Sequence, residues 1–232
     1  MHENEVEALR VATRRRLFPP ITDSSWLVLR ARRENFRRWL AALQLQNARV
    51  LDVGGRLQPY RGLLPDSCRY WSVDLRPSAL LSAVANAESL PFQESTFDLV
   101  ICTQMLEYAP SPPRVISEIH RVLKTGGTLL LSAPSIFPRD SEFDAWRFFP
   151  AAYRNLLAQF SDLEILPEGG SIAGFLRTAA VFARTSARYE TLRRMVDFTL
   201  VPVLNVLGAA GDKLSDGRDG TFTVNYSVRA RM

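Results

Sequence analysis

From Ser24 to Gln46 the apolar residues Trp26, Leu29, Phe36, Trp39, Leu40 and Leu43 recur at intervals that suit one helix face. Arg30, Arg32, Arg33, Arg37 and Arg38 fall between them, so the spacing predicts an amphipathic helix with a solvated basic side. The period then changes. Runs at 49–53 (RVLDV), 70–74 (YWSVD), 97–102 (FDLVIC) and 127–132 (GTLLLS) are short and nearly continuously apolar, as expected of parallel strands covered on both faces. Helical or loop segments separate them. One, Pro113–Lys124, is expected to end at KTGG, where glycine can adopt the left-handed C-cap conformation. After a helix around 150–160, LEIL (163–166) and the segment 221–232 read as two late strands, with about fifty mostly helical residues between them. The alternation predicts an α/β fold, a doubly wound and mostly parallel sheet. We divide the chain into an N-terminal helical arm (1–46), a core (47–170), a helical insertion (171–214) and a last core strand (215–232).

A length of 232 residues suits one domain with a full core, and 47% apolar with 23% charged residues is ordinary for a globular chain. Charge changes the picture more. The net charge is +5, but residues 10–38 hold nine Arg against Asp23 and Glu34. Cys68 and Cys102 form neither a metal-ligand spacing nor a disulfide framework, and the first ten residues lack the features of a signal peptide. A cytoplasmic location is the expectation. No stretch offers the roughly 18–20 uninterrupted apolar residues of a spanning helix. The nearest, Val196–Ala210, contains Asp197, Pro202 and Asn205, and is expected to be a buried or interfacial helix.

Candidate chemistry starts at residues 50–60, VLDVGGRLQPY. A strand followed by Asp52, Gly54 and Gly55 puts a glycine-permitted turn at the carboxyl edge of the sheet, where α/β proteins bind ligands. The next strand ends in Asp74, about twenty residues on, where a carboxylate can accept both hydroxyls of a ribose. Yet Arg56 and Gln58 stand where glycine would be expected. If the Arg56 side chain points away from the pocket, its backbone can still serve.

The segment 86–134 decides between cofactors. Its features are Asn86-Ala87-Glu88, Pro91-Phe92, Phe97-Asp98, Leu106-Glu107 and the run from Glu118 to Gly127. In this order they resemble the class I S-adenosylmethionine-dependent methyltransferases of small-molecule type, over about residues 48 to 166. The resemblance implies a Rossmann-like, seven-stranded sheet and S-adenosyl-L-methionine as cofactor. It would place Asp52 and Gly54 at the methionine end, with Gly55 in the same turn. Asp74 would hold the ribose, Leu75 would pack near the adenine, and the Asn86–Ala87 loop would read the adenine edge. Thr103 and Gln104 would line the methionine side. Asn86 replaces the family's usual Asp, an exchange that keeps a hydrogen-bond acceptor. A nicotinamide-dependent oxidoreductase fits less well, because the turn lacks G-x-G-x-x-G.

Some relatives assemble a metal site after the fourth strand. Here the positions are Gln104, Glu107 and Tyr108, too few ligands for a divalent ion, so no metal is expected. His2 is terminal and His120 reads as a packing residue. The polar groups that could face an acceptor are Glu107, Tyr108, Asp140, Asp144 and Arg147. Of these, Glu107, Tyr108 and Asp144 are the candidate catalytic residues. Asp144 could instead pair with Arg147 while Trp146, Phe148 and Phe149 close the core. The expected reaction is direct in-line methyl transfer to a small-molecule or lipid-linked acceptor, on oxygen first, with nitrogen and carbon open as alternatives. The alternative is a nucleic-acid-binding protein or RNA methyltransferase that uses the Arg-rich arm. The insertion would act as a lid or an interface, with GGSIAGFL as a hinge. Its basic and apolar composition is compatible with peripheral membrane contact, or with a homodimer.

Overall fold

The computed structural model describes residues 2–139, 141–215 and 220–232, and Asp140 lies outside them. Seven strands share one sheet: β1 (Arg49–Val53), β2 (Arg69–Asp74), β3 (Ala83–Val84), β4 (Phe97–Thr103), β5 (Leu123–Pro134), β6 (Ser161–Pro167) and β7 (Asn225–Arg231). Their order is β3-β2-β1-β4-β5-β7-β6, with β7 antiparallel to both neighbours and every other pairing parallel. The two-residue β3 is too short for a strand period to show, and none of the strand runs read from the sequence covers it.

Alternation along the central strands splits the core into two layers. Leu51, Val53, Val100, Cys102, Leu129 and Leu131 face one side, where α3 (Pro112–Val122) and α4 (Pro150–Leu156) cover them. Val50, Leu99, Ile101 and Leu130 face the other, beneath Phe36, Trp39 and Leu40 of α2 (Trp26–Ala41). Only a 3₁₀ turn, Arg61–Leu63, links β1 to β2, so the N-terminal arm supplies the covering helix on that face. The arm's first helix, α1 (His2–Leu17), sends Leu17 into the same layer.

Two expectations are corrected here. The helix α3 stops at Val122, because Leu123 turns extended and pairs with Phe97. Gly126, at φ +77, lies inside β5 and donates its amide to the Met232 carbonyl, so it is no helix cap. The basic face of α2 is also only partly solvated. Arg32 is 2% exposed and grips the buried Glu168, Arg38 pairs with Glu164 at 2.5 Å, and Arg33 donates to the Leu17 carbonyl.

The chain between β6 and β7 forms α5 (Ser171–Ser186), α6 (Glu190–Phe198) and α7 (Leu200–Leu214). The glycines at its entry are pinned, not hinge-like. A Cβ on Gly174 would lie 1.9 Å from the Phe222 carbonyl oxygen, and one on Gly170 would lie 2.8 Å from Asp212. Asp212 of α7 accepts the amides of Gly170 and Ala173 at 2.6 and 3.0 Å, satisfying donors that the start of α5 would otherwise leave open. Pro202 falls in the first turn of α7, where its missing N–H costs nothing, and the break from α6 comes at Thr199. Together, residues Glu190–Leu214 are long and apolar enough, by length and composition, to cross a bilayer, which the sequence pattern had not suggested.

Candidate active site

The residues expected at the cofactor converge on the carboxyl ends of β1, β2 and β4 and on the loop after β3. The turn after β1 is the tightest feature. Gly54 has φ +76, and its amide and that of Gly55 both donate to the Val73 carbonyl, at 2.8 and 3.0 Å. An added Cβ would come within 2.7 Å of Met105 Cβ at Gly54, and within 2.7 Å of Asp52 Cγ at Gly55. Neither position accepts a side chain, because Met105 and Asp52 pack directly against the turn.

Arg56 is exposed. Gln58 is buried at φ +50, and its Nε2 donates to Ser72 Oγ at 2.8 Å and to the Leu80 carbonyl. It fastens the turn to β2. Its partners are fourteen and twenty-two residues away, so nothing local could have shown this.

Asp52 is 2% exposed and accepts a hydrogen bond from the Tyr70 hydroxyl at 2.5 Å. Burial pushes its carboxyl up to about 7, against the Tyr70 bond that lowers it, and nearby Asp74 raises it further. Asp74 is half-buried, with Oδ1 accepting the Arg76 amide at 2.8 Å. Leu75 beside it is exposed, Asn86 Oδ1 accepts the Glu88 amide at 2.9 Å, and Ala87 packs on the core. Thr103 ends β4 half-buried. Gln104 follows at φ +50, a strained conformation of the kind that gathers at functional sites, and its side chain donates to Ser132 Oγ.

The candidate catalytic residues separate. Glu107 lies in a 3₁₀ turn just after β4, 3% exposed, with Oε2 buried and without a hydrogen-bond partner among the described residues. Burial raises its carboxyl to about 7, opposed by its own backbone amide and by Arg32. Tyr108 sits at the surface. Asp144 is clamped by Arg147 at 2.5 and 2.7 Å, and Arg147 also donates to the Phe137 carbonyl. That arrangement folds the loop after β5, and Ala145 and Trp146 donate their amides to the Glu107 carbonyl. Phe148 is buried, but Trp146 and Phe149 stay 42% and 48% exposed, so they do not close the core. Sequence reasoning also missed Arg177 of α5, buried with its guanidinium 4.0 Å over the Phe137 ring.

Two carboxylates beside a side-chain-free turn suit a ligand that carries ribose hydroxyls and a cationic sulfonium. The residues therefore fit S-adenosylmethionine. Among the described residues no group of three or more His, Cys, Asp and Glu could hold a metal ion. A cavity of about 490 Å³ opens elsewhere, at the amino edge of the sheet between Asp98, Lys124, Gly127 and Arg231. Ligands of α/β sheets bind at the opposite edge, so this cavity is not the cofactor site.

The two raised carboxyls make a pH prediction. Asp52 and Glu107 titrate higher in the folded chain than their ordinary values of 3.8 and 4.5. The stability this gives is complete below the ordinary values and is lost as pH rises through about 7. Asp52→Asn removes one such group, and is expected to raise the melting temperature near pH 8 more than near pH 5. Thermal unfolding of the ligand-free protein at both pH values tests this; an equal shift at both would refute it.

A family model described as a methyltransferase domain matches residues 51–131. The chain is 29% identical over 146 residues to 2-methyl-6-phytyl-1,4-hydroquinone methyltransferase 2 of Oryza sativa subsp. japonica, covering 50% of this chain and 42% of that one. It is 35% identical over 112 residues to a ubiquinone biosynthesis O-methyltransferase of Xanthomonas oryzae pv. oryzae, covering 40% and 45%. The chain thus spans less than half the length of these relatives. Among solved structures, a SAM-dependent methyltransferase from Aquifex aeolicus has a TM-score of 0.51 at 11% identity, covering 100% of this chain and 98% of that one. The [4+2]-cyclase SpnF has a TM-score of 0.51 at 19% identity, covering 86% and 80%, so this fold also occurs under another activity. The glycine turn, the strand order and the matched segment agree: residues 51–131 carry a methyltransferase domain, set in a chain with the fold of S-adenosylmethionine-dependent methyltransferases.

Proposed function

We propose that the chain moves a methyl group from S-adenosylmethionine to a hydroxyl oxygen of a small or lipid-linked acceptor. The observation that carries this reading is Glu107, a buried carboxylate with one oxygen unpartnered among the described residues, raised to about 7 and set in the turn just after β4. When bound, the cofactor would supply an electrophilic methyl for in-line transfer to the acceptor oxygen, its sulfur keeping the electron pair of the methyl–sulfur bond. The acceptor's hydroxyl proton goes to Glu107, which then returns it to solvent. Asp52 would stand at the methionine end and Asp74 would accept the ribose hydroxyls. Leu75 and the Asn86–Ala87 loop would border the adenine. Asp144 would act indirectly, through its clamp on Arg147. Names that refer to hydroquinone and ubiquinone biosynthesis among the relatives support a ring acceptor carrying hydroxyls.

Binding is tested first. Removing a charged hydrogen-bond partner typically costs about 1.5–3 kcal/mol, so Asp74→Ala should weaken S-adenosylmethionine binding by more than about tenfold. Calorimetry showing unchanged affinity in the folded variant would overturn the assignment of Asp74. Activity is then read as S-adenosylhomocysteine formed with a panel of catechol and hydroquinone acceptors, with and without prenyl tails. Release of product with none of them, by a protein that binds the cofactor, would overturn the reading.

A further inference from the structure

We infer that the outer face of α5, α6 and α7 docks on an anionic lipid bilayer. On α7, Leu200, Val203, Val206, Leu207, Ala210 and Leu214 are exposed and recur at three- and four-residue spacing, a single stripe along the helix. The inner side of the same helix is occupied too. Val201 and Gly208 are buried, Gly208 abuts Leu27, and Asn205 donates to the Ile21 and Asp23 carbonyls at 2.7 and 3.0 Å. A helix apolar on all sides belongs inside a protein or against lipid. Here only the inner side meets protein: 17% of the most apolar window within Glu190–Leu214 is buried.

The neighbouring helices extend the surface. Phe175 and Phe182 on α5 are 61% and 71% exposed, and Met195 and Phe198 on α6 are 62% and 71% exposed. Soluble monomers rarely leave contiguous apolar areas beyond a few hundred Å².

The surrounding charge selects the partner. Residues 171–214 hold five Arg and Lys213 against Glu190, Asp197 and Asp212, a net +3 within a chain of net +5. Arg188, Arg194 and Lys213 are exposed. Apolar side chains beside arginines match the boundary between acyl chains and acidic headgroups. A second copy of this chain would bring the same positive charge to the contact and oppose it.

The helices lie on the membrane and do not cross it. The run breaks at Thr199, Asn205 ties α7 to the arm, and Arg184 pairs with Asp197 at 2.9 Å in the middle of the segment. The inner side of α5 reaches the candidate site through Arg177 on Phe137. Docking on the outer side would therefore hold that site close to lipid-borne molecules.

The test is co-sedimentation of the full chain with phosphatidylcholine vesicles, with and without phosphatidylglycerol. The protein should pellet with the anionic vesicles, less with neutral ones, and less as ionic strength rises. The triple variant Phe182→Glu, Phe198→Glu, Val206→Glu should lose at least about tenfold in partitioning, since each exposed apolar side chain contributes by leaving water. Its S-adenosylmethionine affinity should be unchanged, which also establishes that it folds. A second variant, Arg188→Glu with Arg194→Glu, should lose the preference for phosphatidylglycerol while keeping neutral binding. Failure of the wild type to pellet with anionic vesicles would overturn the proposal. So would equal pelleting of the triple variant, or a wild-type dimer in vesicle-free solution that the same three substitutions convert to monomer.

Discussion

Arg32→Ala is expected to destabilise the protein by about 3–5 kcal/mol, the usual consequence of leaving one member of a buried ion pair alone. For a chain of this size that is a fall of roughly 6–20 °C in melting temperature. The side chains of Arg32 and Glu168 are 3% and 0% exposed. Arg32 Nε donates to both carboxylate oxygens at 2.8 and 2.9 Å, and Nη2 donates to one at 2.7 Å. Burial alone would disfavour the charge on Arg32, but Glu168 and then Tyr60 outweigh it and hold the guanidinium protonated. Glu168 is also the acceptor for the Ser132 and Ser227 hydroxyls, at 2.6 and 2.8 Å. With the Asn225 carbonyl turned toward Arg32 and Gln104, at 3.0 and 2.9 Å, the network runs from α2 to the end of β4. Truncating Arg32 leaves a carboxylate in the core with two hydroxyl donors and no counter-charge. The double variant Arg32→Met, Glu168→Leu removes both charges and should recover a large part of the loss. Urea unfolding of the two single variants and the double variant measures this. A loss below about 1 kcal/mol for Arg32→Ala would show that the pair is a solvated contact.

That ion pair also marks where sequence patterns end. Periodicity placed Arg32 on the polar side of an amphipathic helix, and the apolar residues of α2 do face the sheet. The partner of Arg32 is 136 residues away, a separation that no local pattern reads. Spaced motifs did better where each motif is its own structural unit. The E-x-x-R of residues 118–121 is one: Glu118 accepts the Leu90 amide, while Arg121 pairs with Glu118 and donates to the Leu90 and Phe92 carbonyls. The motif therefore clamps the loop that carries Asn86 and Ala87. Likewise Asp98 binds the Arg49 amide and Lys124, joining β1, β4 and β5 at their amino ends. A strand of only two residues, such as β3, is too short for any periodicity to show. Roles set by a strained backbone, as at Gln58 and Gln104, are hidden too, because an ordinary glutamine looks the same in sequence whatever its φ.

Glu107→Gln is expected to lower kcat for methyl transfer by about 10²–10⁴-fold, the contribution of a placed general base, with little change in S-adenosylmethionine affinity. This rests on the proposed transfer to a hydroxyl oxygen. A base acts best when its pKa lies near the working pH, and burial brings Glu107 to about 7. Its active form is the carboxylate, so wild-type kcat should rise with pH and level off above about 7. The glutamine is nearly the same size and leaves the backbone carbonyl that holds Ala145 and Trp146 in place, so the loop after β5 should keep its position. It also removes a buried charge, which should leave the variant at least as stable as the wild type near pH 8. A purely structural role would scale the rate without altering its pH dependence. The two readings therefore separate in the pH profile of the variant, measured with an acceptor that the wild type turns over. Loss of the rising limb, together with the fall in kcat, identifies Glu107 as the base. A rate within about threefold of wild type, or an unchanged limb around pH 7, would remove the proton from this carboxylate and leave the acceptor to ionise in solvent.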